Sequence, residues 1–157
     1  MKISFAAAVA ALSLLAFPVK AQELVTTEWK AYGVTFKVPA GFAVEDDSEE
    51  GFVIADPTYY VTVQLLEGDG LRVAELAEEL KNMATDDEVT RQSEVTSFDL
   101  PQFHGVQLSG DCESEPCTYS YLMAKDGSCG FYVSIVYKEK DDTLPGLILR
   151  SFQLKDD

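Results

Sequence analysis

Three cysteines carry the most specific chemistry that the residue types and spacing of this chain allow. Cys112 and Cys117 enclose a four-residue loop between two predicted antiparallel strands, which brings the ends of the loop within disulfide reach. The alternative is a reduced pair, and a redox centre is disfavoured because it usually needs a CxxC spacing at a helix start. The spacing therefore predicts a structural disulfide, worth about 2 kcal/mol because the loop is short.

The third cysteine, Cys129, lies in a different chemical setting. It shares strand parity with Phe131, Val133 and Ile135, so its side chain is predicted to point towards the core. A free cysteine packs like a small apolar side chain. We therefore predict that Cys129 is a buried free thiol rather than a nucleophile.

His104 is the sole histidine, and no serine or cysteine motif accompanies it. Its parity with Val106 and Leu108 predicts a histidine packed at the rim of a sheet. The GxSxG, HExxH, P-loop and GxGxxG patterns are missing from the sequence, and a single histidine does not favour a zinc site. The sequence thus predicts no catalytic residue, no metal and no cofactor. A hydrolase would require His104 in a cleft beside a serine or an aspartate.

An acidic run extends from Glu45 to Glu50 and offers carboxylate oxygens. It lacks the alternating aspartates and the glycine of a calcium loop, so we interpret it as a solvated charge run and leave cation binding open. Tyrosines are also abundant, and they could line a groove for a partner, although sheet packing explains them equally well. These tyrosines are Tyr59, Tyr60, Tyr119, Tyr121, Tyr132 and Tyr137.

The amino-terminal residues predict export. Lys2 precedes an apolar run over residues 3–17, and Val19 and Ala21 place small residues at −3 and −1 of a cut before Gln22. The run is shorter than a membrane-spanning helix needs, so we expect a cleaved signal peptide, residues 1–21, and no membrane insertion afterwards. The protein is then periplasmic or secreted, which permits disulfides.

The formal net charge is −15, and cleavage makes it more negative because it removes Lys2 and Lys20. Such a surface repels nucleic acid and anionic membranes, and it favours basic partners or cations.

One helix is predicted to organise the rest of the chain. Over residues 71–85 an apolar stripe recurs at helical spacing, opposite charged residues, with Asp69 as the expected cap. The stripe comprises Val73, Leu76, Ala77, Leu80, Met83 and Ala84. A second helix is predicted over residues 141–151, with Leu144, Leu147, Ile148 and Phe152 on its inner face.

Most of the remaining chain alternates as β-strands, with a hairpin at the Asp126-Gly127 turn. The strand of Phe131, Val133 and Ile135 is the most hydrophobic and is predicted to be central. Residues 22–157 should therefore form one α+β domain, in which helices flank a mostly antiparallel sheet.

The layout resembles that of PsbP-like and DcrB-like domains. The resemblance rests on the strand from Tyr32 to Phe42 with its Pro39-Ala40-Gly41 turn, on the amphipathic helix, and on the closing residues 148–154. It implies an α/β/α sandwich and an accessory or protein-binding role rather than an enzymatic one. The cysteine hairpin lies outside this pattern, and no functional residue is carried over.

Two functional hypotheses follow. The first is an exported, non-enzymatic accessory or protein-binding module of the cell envelope, with an envelope protein as its partner. The alternative is a periplasmic protein that binds a small ligand or a cation, through the aromatic residues or the acidic run.

Overall fold

The computed structural model of the 157-residue chain describes residues 23–66 and 72–155. The predicted signal peptide and its cleavage site lie outside the described residues, as does the predicted cap Asp69. None of the described helices has the length and apolar character that crossing a bilayer requires.

The described residues form ten strands and two α-helices. The strands are β1 (Leu24–Trp29), β2 (Val34–Pro39), β3 (Ala43–Asp47), β4 (Phe52–Ala55), β5 (Tyr60–Leu65), β6 (Thr96–Asp99), β7 (Phe103–Cys112), β8 (Glu115–Ala124), β9 (Gly130–Val136) and β10 (Gln153–Leu154). The helices are α1 (Leu76–Asp86), preceded by a 3-10 turn (Val73–Glu75), and α2 (Leu144–Arg150).

Seven strands build a large sheet in the order β3-β4-β5-β9-β8-β7-β6, and every pairing in it is antiparallel. The most hydrophobic strand, β9, occupies the centre, as predicted. A second, small antiparallel sheet has the order β1-β2-β10. The sequence did not predict this small sheet, because β10 has only two residues and pairs with a strand more than a hundred positions earlier.

The small sheet and α2 pack on one side of the large sheet, around an aromatic core. Trp29 and Phe36 from the small sheet meet Phe52 and Phe131 from the large one, and the rings of Phe36 and Phe152 stack at 4.4 Å. Offset and edge-to-face contacts of this kind stabilise a core beyond the area they bury. This side of β4, β5 and β9 is therefore covered.

Helix α1 packs on the opposite side, against β7 and β8. Leu76, Leu80 and Ala84 are buried there, as the apolar stripe predicts, and Ala77 and Met83 are half-buried. Val73 differs from the prediction, with 47% of its surface exposed. It lies in the 3-10 turn, whose three-residue period rotates it away from the stripe of α1.

Helix α2 is shorter than predicted, because Asp142 Oδ1 accepts the backbone N–H of Leu144 and fixes the start of the helix there. Leu147, which was predicted to face inward, is 54% exposed, and Leu149 is buried instead. Residues 45–47 of the acidic run belong to β3, and residues 48–50 form the turn to β4. The α+β class, with an antiparallel sheet flanked by helices, is confirmed.

Candidate protein-binding face

The two paired cysteines meet at the tip of the β7–β8 hairpin. The structure joins Cys112 and Cys117 in a disulfide, with their Cα atoms 6.0 Å apart. The turn between the strands consists of Glu113 and Ser114, whose φ angles of 48° and 77° lie in the left-handed region. This is the backbone that a two-residue hairpin requires, here without the usual glycine.

The tip of this hairpin lies beside the end of α1. The hydroxyl of Tyr119 donates to Asp87 Oδ2 at 2.9 Å, and burial together with this hydrogen bond raises the pKa of Tyr119 to about 12. Asp111, largely buried, accepts from Arg91 Nε at 3.0 Å. These contacts anchor the disulfide hairpin to the segment that follows α1, which is a structural role.

Five of the six tyrosines considered as groove residues are buried, so the structure does not bring them together as an open groove. Tyr132 packs edge-to-face against Tyr119 and Tyr121, with ring centroids 5.7 and 6.0 Å apart. Burial is the main reason that the pKa values of all three are raised. Only Tyr60 is exposed, at 45%.

Cys129 is half-buried and unpaired, so it is less buried than the sequence predicts. It precedes the first residue of β9 and therefore lies at the margin of the core rather than in it. Burial raises the pKa of its thiol, which disfavours the thiolate.

His104 lies at the rim of a groove between the 3-10 turn and β6, which we call the His104 groove. Its volume is about 600 Å³, and its lining includes Val73, Leu76, Phe98 and Ser97. His104 Nδ1 is 2.9 Å from Asp99 Oδ1. The sequence alone does not identify Asp99 as the partner of His104, because only the β6–β7 register places the two side by side.

The acidic run forms part of a hairpin made of β3, β4 and their turn, which we call the acidic hairpin. The indole Nε1 of buried Trp29 donates to the carbonyl of Ser48 at 2.7 Å, and the hydroxyl of Tyr32 donates to the carbonyl of Glu49 at 2.8 Å. Its five carboxylates are all exposed, and no lysine, arginine or histidine of the described residues pairs with them. The hairpin is thus fixed in place with its negative charge uncompensated.

On the α1 side of the large sheet, the half formed by β4, β5 and β9 extends beyond the helix. We call this surface the open face. Its residues are exposed or half-buried, whereas Phe52, Ile54 and Val61 on the reverse of the same strands are almost fully buried. The register aligns the members of the open face, which are Val53, Ala55, Tyr60, Thr62, Gln64, Ser134 and Val136.

The open face adjoins the acidic hairpin directly. Asp46 is registered with Val53, and the side chains of Asp46 and Gln64 both lie beside Gly51. The surface thus combines one exposed tyrosine with small aliphatic and polar side chains, and it has an acidic border. Across residues 23–66 and 72–155 no three or more histidine, cysteine, aspartate or glutamate side chains are grouped to hold a metal ion.

The family of the chain is identified by a match that covers most of its sequence. The family described as dihydro-orotase-like matches residues 6–141. The chain belongs to the dihydro-orotase-like family. No curated protein matches the chain.

Solved structures share the fold at low sequence identity. The Saccharomyces cerevisiae Ran-binding protein Mog1p is similar with a TM-score of 0.60 and 11% identity, over 87% of this chain and 97% of Mog1p. A mutant of protein Mog1 is similar with a TM-score of 0.59 and 10% identity, over 85% of this chain and 97% of that chain. A structure from Bacteroides thetaiotaomicron is similar with a TM-score of 0.50 and 8% identity, over 88% of this chain and 50% of that chain. The fold is therefore Mog1/PsbP-like.

Proposed function

We propose that this protein is an exported, non-enzymatic accessory module of the cell envelope that binds another protein through the open face. The observation that carries the proposal is the open face itself, an exposed surface around Tyr60 on strands whose reverse side is buried. Mog1p, which has a similar fold, is a Ran-binding protein, so such a fold can support protein binding. The PsbP-like and DcrB-like resemblance supports the same accessory role.

The charge of the chain supports a basic protein as the partner. The net charge is −15, and the acidic hairpin borders the open face. Complementary charge accelerates encounter and suppresses wrong partners, nucleic acids among them.

Binding is tested by capture from envelope extract with immobilised protein at low and high salt. We expect wild type and Leu147→Ser to retain the same partner, and Tyr60→Ser to lose it, because Tyr60 is the large exposed side chain of the open face. Leu147 is the matched control, since it is comparably exposed but lies on α2. Equal retention by Tyr60→Ser, or no retained protein at either salt concentration, contradicts the proposal.

Export and the disulfide belong to the same proposal. The leader predicted over residues 1–21 would deliver a single domain, residues 22–157, to a compartment in which Cys112 and Cys117 oxidise and Cys129 stays free. Mass spectrometry of the protein from the periplasm or medium should find Gln22 at the amino terminus and a Cys112–Cys117 cross-linked peptide. An uncleaved cytoplasmic chain with three reduced cysteines contradicts this part.

The His104 groove supports a second candidate, the binding or hydrolysis of a small molecule. Asp99 orients the imidazole of His104 at the edge of an apolar groove, which is the arrangement a general base requires. A thermal-shift screen with dihydroorotate, small apolar ligands and calcium tests binding, since a ligand of the native state raises Tm. Turnover of dihydroorotate that is lost in His104→Ala would establish an enzyme and overturn the non-enzymatic proposal.

A further inference from the structure

Strand β3 is an edge of the large sheet, and we infer that it accepts an extended, basic segment of the partner as an additional antiparallel or parallel strand. This inference rests on the proposed function and names how the partner is held. Its basis is the free edge of β3, the charges along it and the contacts that hold it rigid. Main-chain hydrogen bonds would supply affinity, and the side chains would supply specificity.

The outer side of β3 is available for pairing. In the described part of the chain β3 pairs only with β4, and all five of its residues are exposed. The exposed side chain of Val44 gives the free edge an apolar contact point, at 55% exposure.

The edge is also held rigid before any partner arrives. Trp29 and Tyr32 bind the carbonyls of Ser48 and Glu49, and Ser48 N–H donates to Gly51 in the turn. A binding element fixed in this way loses little conformational entropy when a partner docks. The hairpin therefore offers a preorganised template.

Charge decides the occupant. Glu45, Asp46 and Asp47 place three carboxylates on the strand itself, and Glu49 and Glu50 follow in the turn. A second copy of this chain would bring the same charges edge to edge, and this repulsion is a known protection against self-association. A segment with lysine or arginine at alternate positions faces these carboxylates favourably, so the occupant is a basic strand and not another copy.

The bulge in β3 limits the length of the added ladder. The register shifts between Val44 and Asp46, which leaves Glu45 without a partner on β4. A bulge bends the strand and increases its twist. The added strand is therefore expected to be short and to pair mainly on one side of the bulge.

The test uses the intact mature protein and two labelled synthetic peptides of about ten residues that alternate lysine and valine. One peptide is unmodified, and the other carries N-methyl groups on all its internal backbone nitrogens, with the same charge but without the backbone hydrogen-bond donors of either edge. Fluorescence anisotropy measures the dissociation constants. We expect the unmodified peptide to bind roughly tenfold more tightly or better, and a glutamate–valine peptide not to bind.

A charge control isolates the edge. The variant Glu45→Gln, Asp46→Asn, Asp47→Asn, Glu49→Gln, Glu50→Gln should lose most of the peptide binding. The matched variant Glu78→Gln, Glu79→Gln, Asp86→Asn, Glu94→Gln, Glu139→Gln removes the same charge from exposed sites elsewhere and should keep it. Circular dichroism confirms that both variants fold.

The outcomes separate the two proposals. Equal affinity of the methylated and unmodified peptides, or equal loss in both acid variants, overturns strand addition and leaves the Tyr60-dependent capture standing. Preferential binding of the unmodified peptide supports strand addition. If Tyr60→Ser in addition captures the partner as well as wild type does, the open face is not the docking surface.

Discussion

At the scale of single residues, Trp29 connects the core to the acidic hairpin. Its ring packs near Phe52 and Phe131, while its indole N–H reaches the carbonyl of Ser48, nineteen positions away. A buried tryptophan needs a partner for its N–H, and here the partner belongs to the turn of the hairpin. Because this contact joins two segments nineteen positions apart, strand periodicity does not predict it.

The variant Trp29→Phe should lower the free energy of unfolding by about 2–4 kcal/mol, since it loses both packing volume and a buried hydrogen bond. Hydrogen exchange of the hairpin amides should accelerate more than global unfolding explains. Tyr32→Phe is the control, because its exposed hydrogen bond to Glu49 contributes less than about 1 kcal/mol. Urea denaturation with amide exchange measures both, and equal effects of the two variants would refute this role.

Tyr119 should make stability fall at high pH. Its folded-state pKa is raised to about 12, above the unfolded value of about 10, so the native state holds the phenolic proton more tightly. The resulting stabilisation is complete below pH 10 and is lost as the pH rises through about 12. In a Cys129→Ser background, which prevents thiol exchange, Tyr119→Phe should lose less stability over this range. Parallel urea midpoints from pH 9 to 12 would contradict the assignment.

At the scale of elements, β7 requires glycine where other segments approach its backbone. A Cβ built on Gly110 would lie 2.6 Å from Val89 Cγ1 and 2.8 Å from the carbonyl of Thr90. Thr90 also pairs with Asp111 through two backbone hydrogen bonds. The segment after α1 therefore seals the edge of β7 only because position 110 has no side chain.

Gly110→Ala should destabilise the fold by about 1–3 kcal/mol, since backbone must move to accept the methyl group. Gly51→Ala is the control, because the nearest atom to its Cβ, the carbonyl oxygen of Val63, is at an ordinary 3.6 Å. Thermal and urea unfolding of both variants provide the comparison. A loss at Gly51 as large as that at Gly110 would show that close approach is not the cause.

At the scale of the whole molecule, excess negative charge opposes compaction. With 27 acidic and 12 basic residues, the folded chain concentrates like charges that an unfolded chain separates. Sodium chloride should therefore raise Tm, since salt screens exposed charges. The five-site acidic hairpin variant should start with a higher Tm and respond less to salt than wild type. An unchanged salt response in calorimetry would contradict a contribution from the hairpin.

The sequence by itself was enough to predict the antiparallel α+β class, the central place of β9, and the helical conformation and inner face of α1. It also predicted the pairing of Cys112 with Cys117. These features depend on periodicity and on neighbours a few positions apart, which the order of residues records directly. The prediction for the inner face of α2 was wrong at Leu147, because packing against β2 decides which side of this short helix faces inward.

Only the tertiary structure decided the rest. The small sheet joins β2 to β10, Asp99 meets His104 by strand register, and the open face exists because α1 covers β7 and β8 but not β4 and β5. Each of these features depends on which segments, distant in sequence, pack or pair with each other. Residue types predict that a surface will be buried, whereas its actual neighbours decide which part stays free to bind.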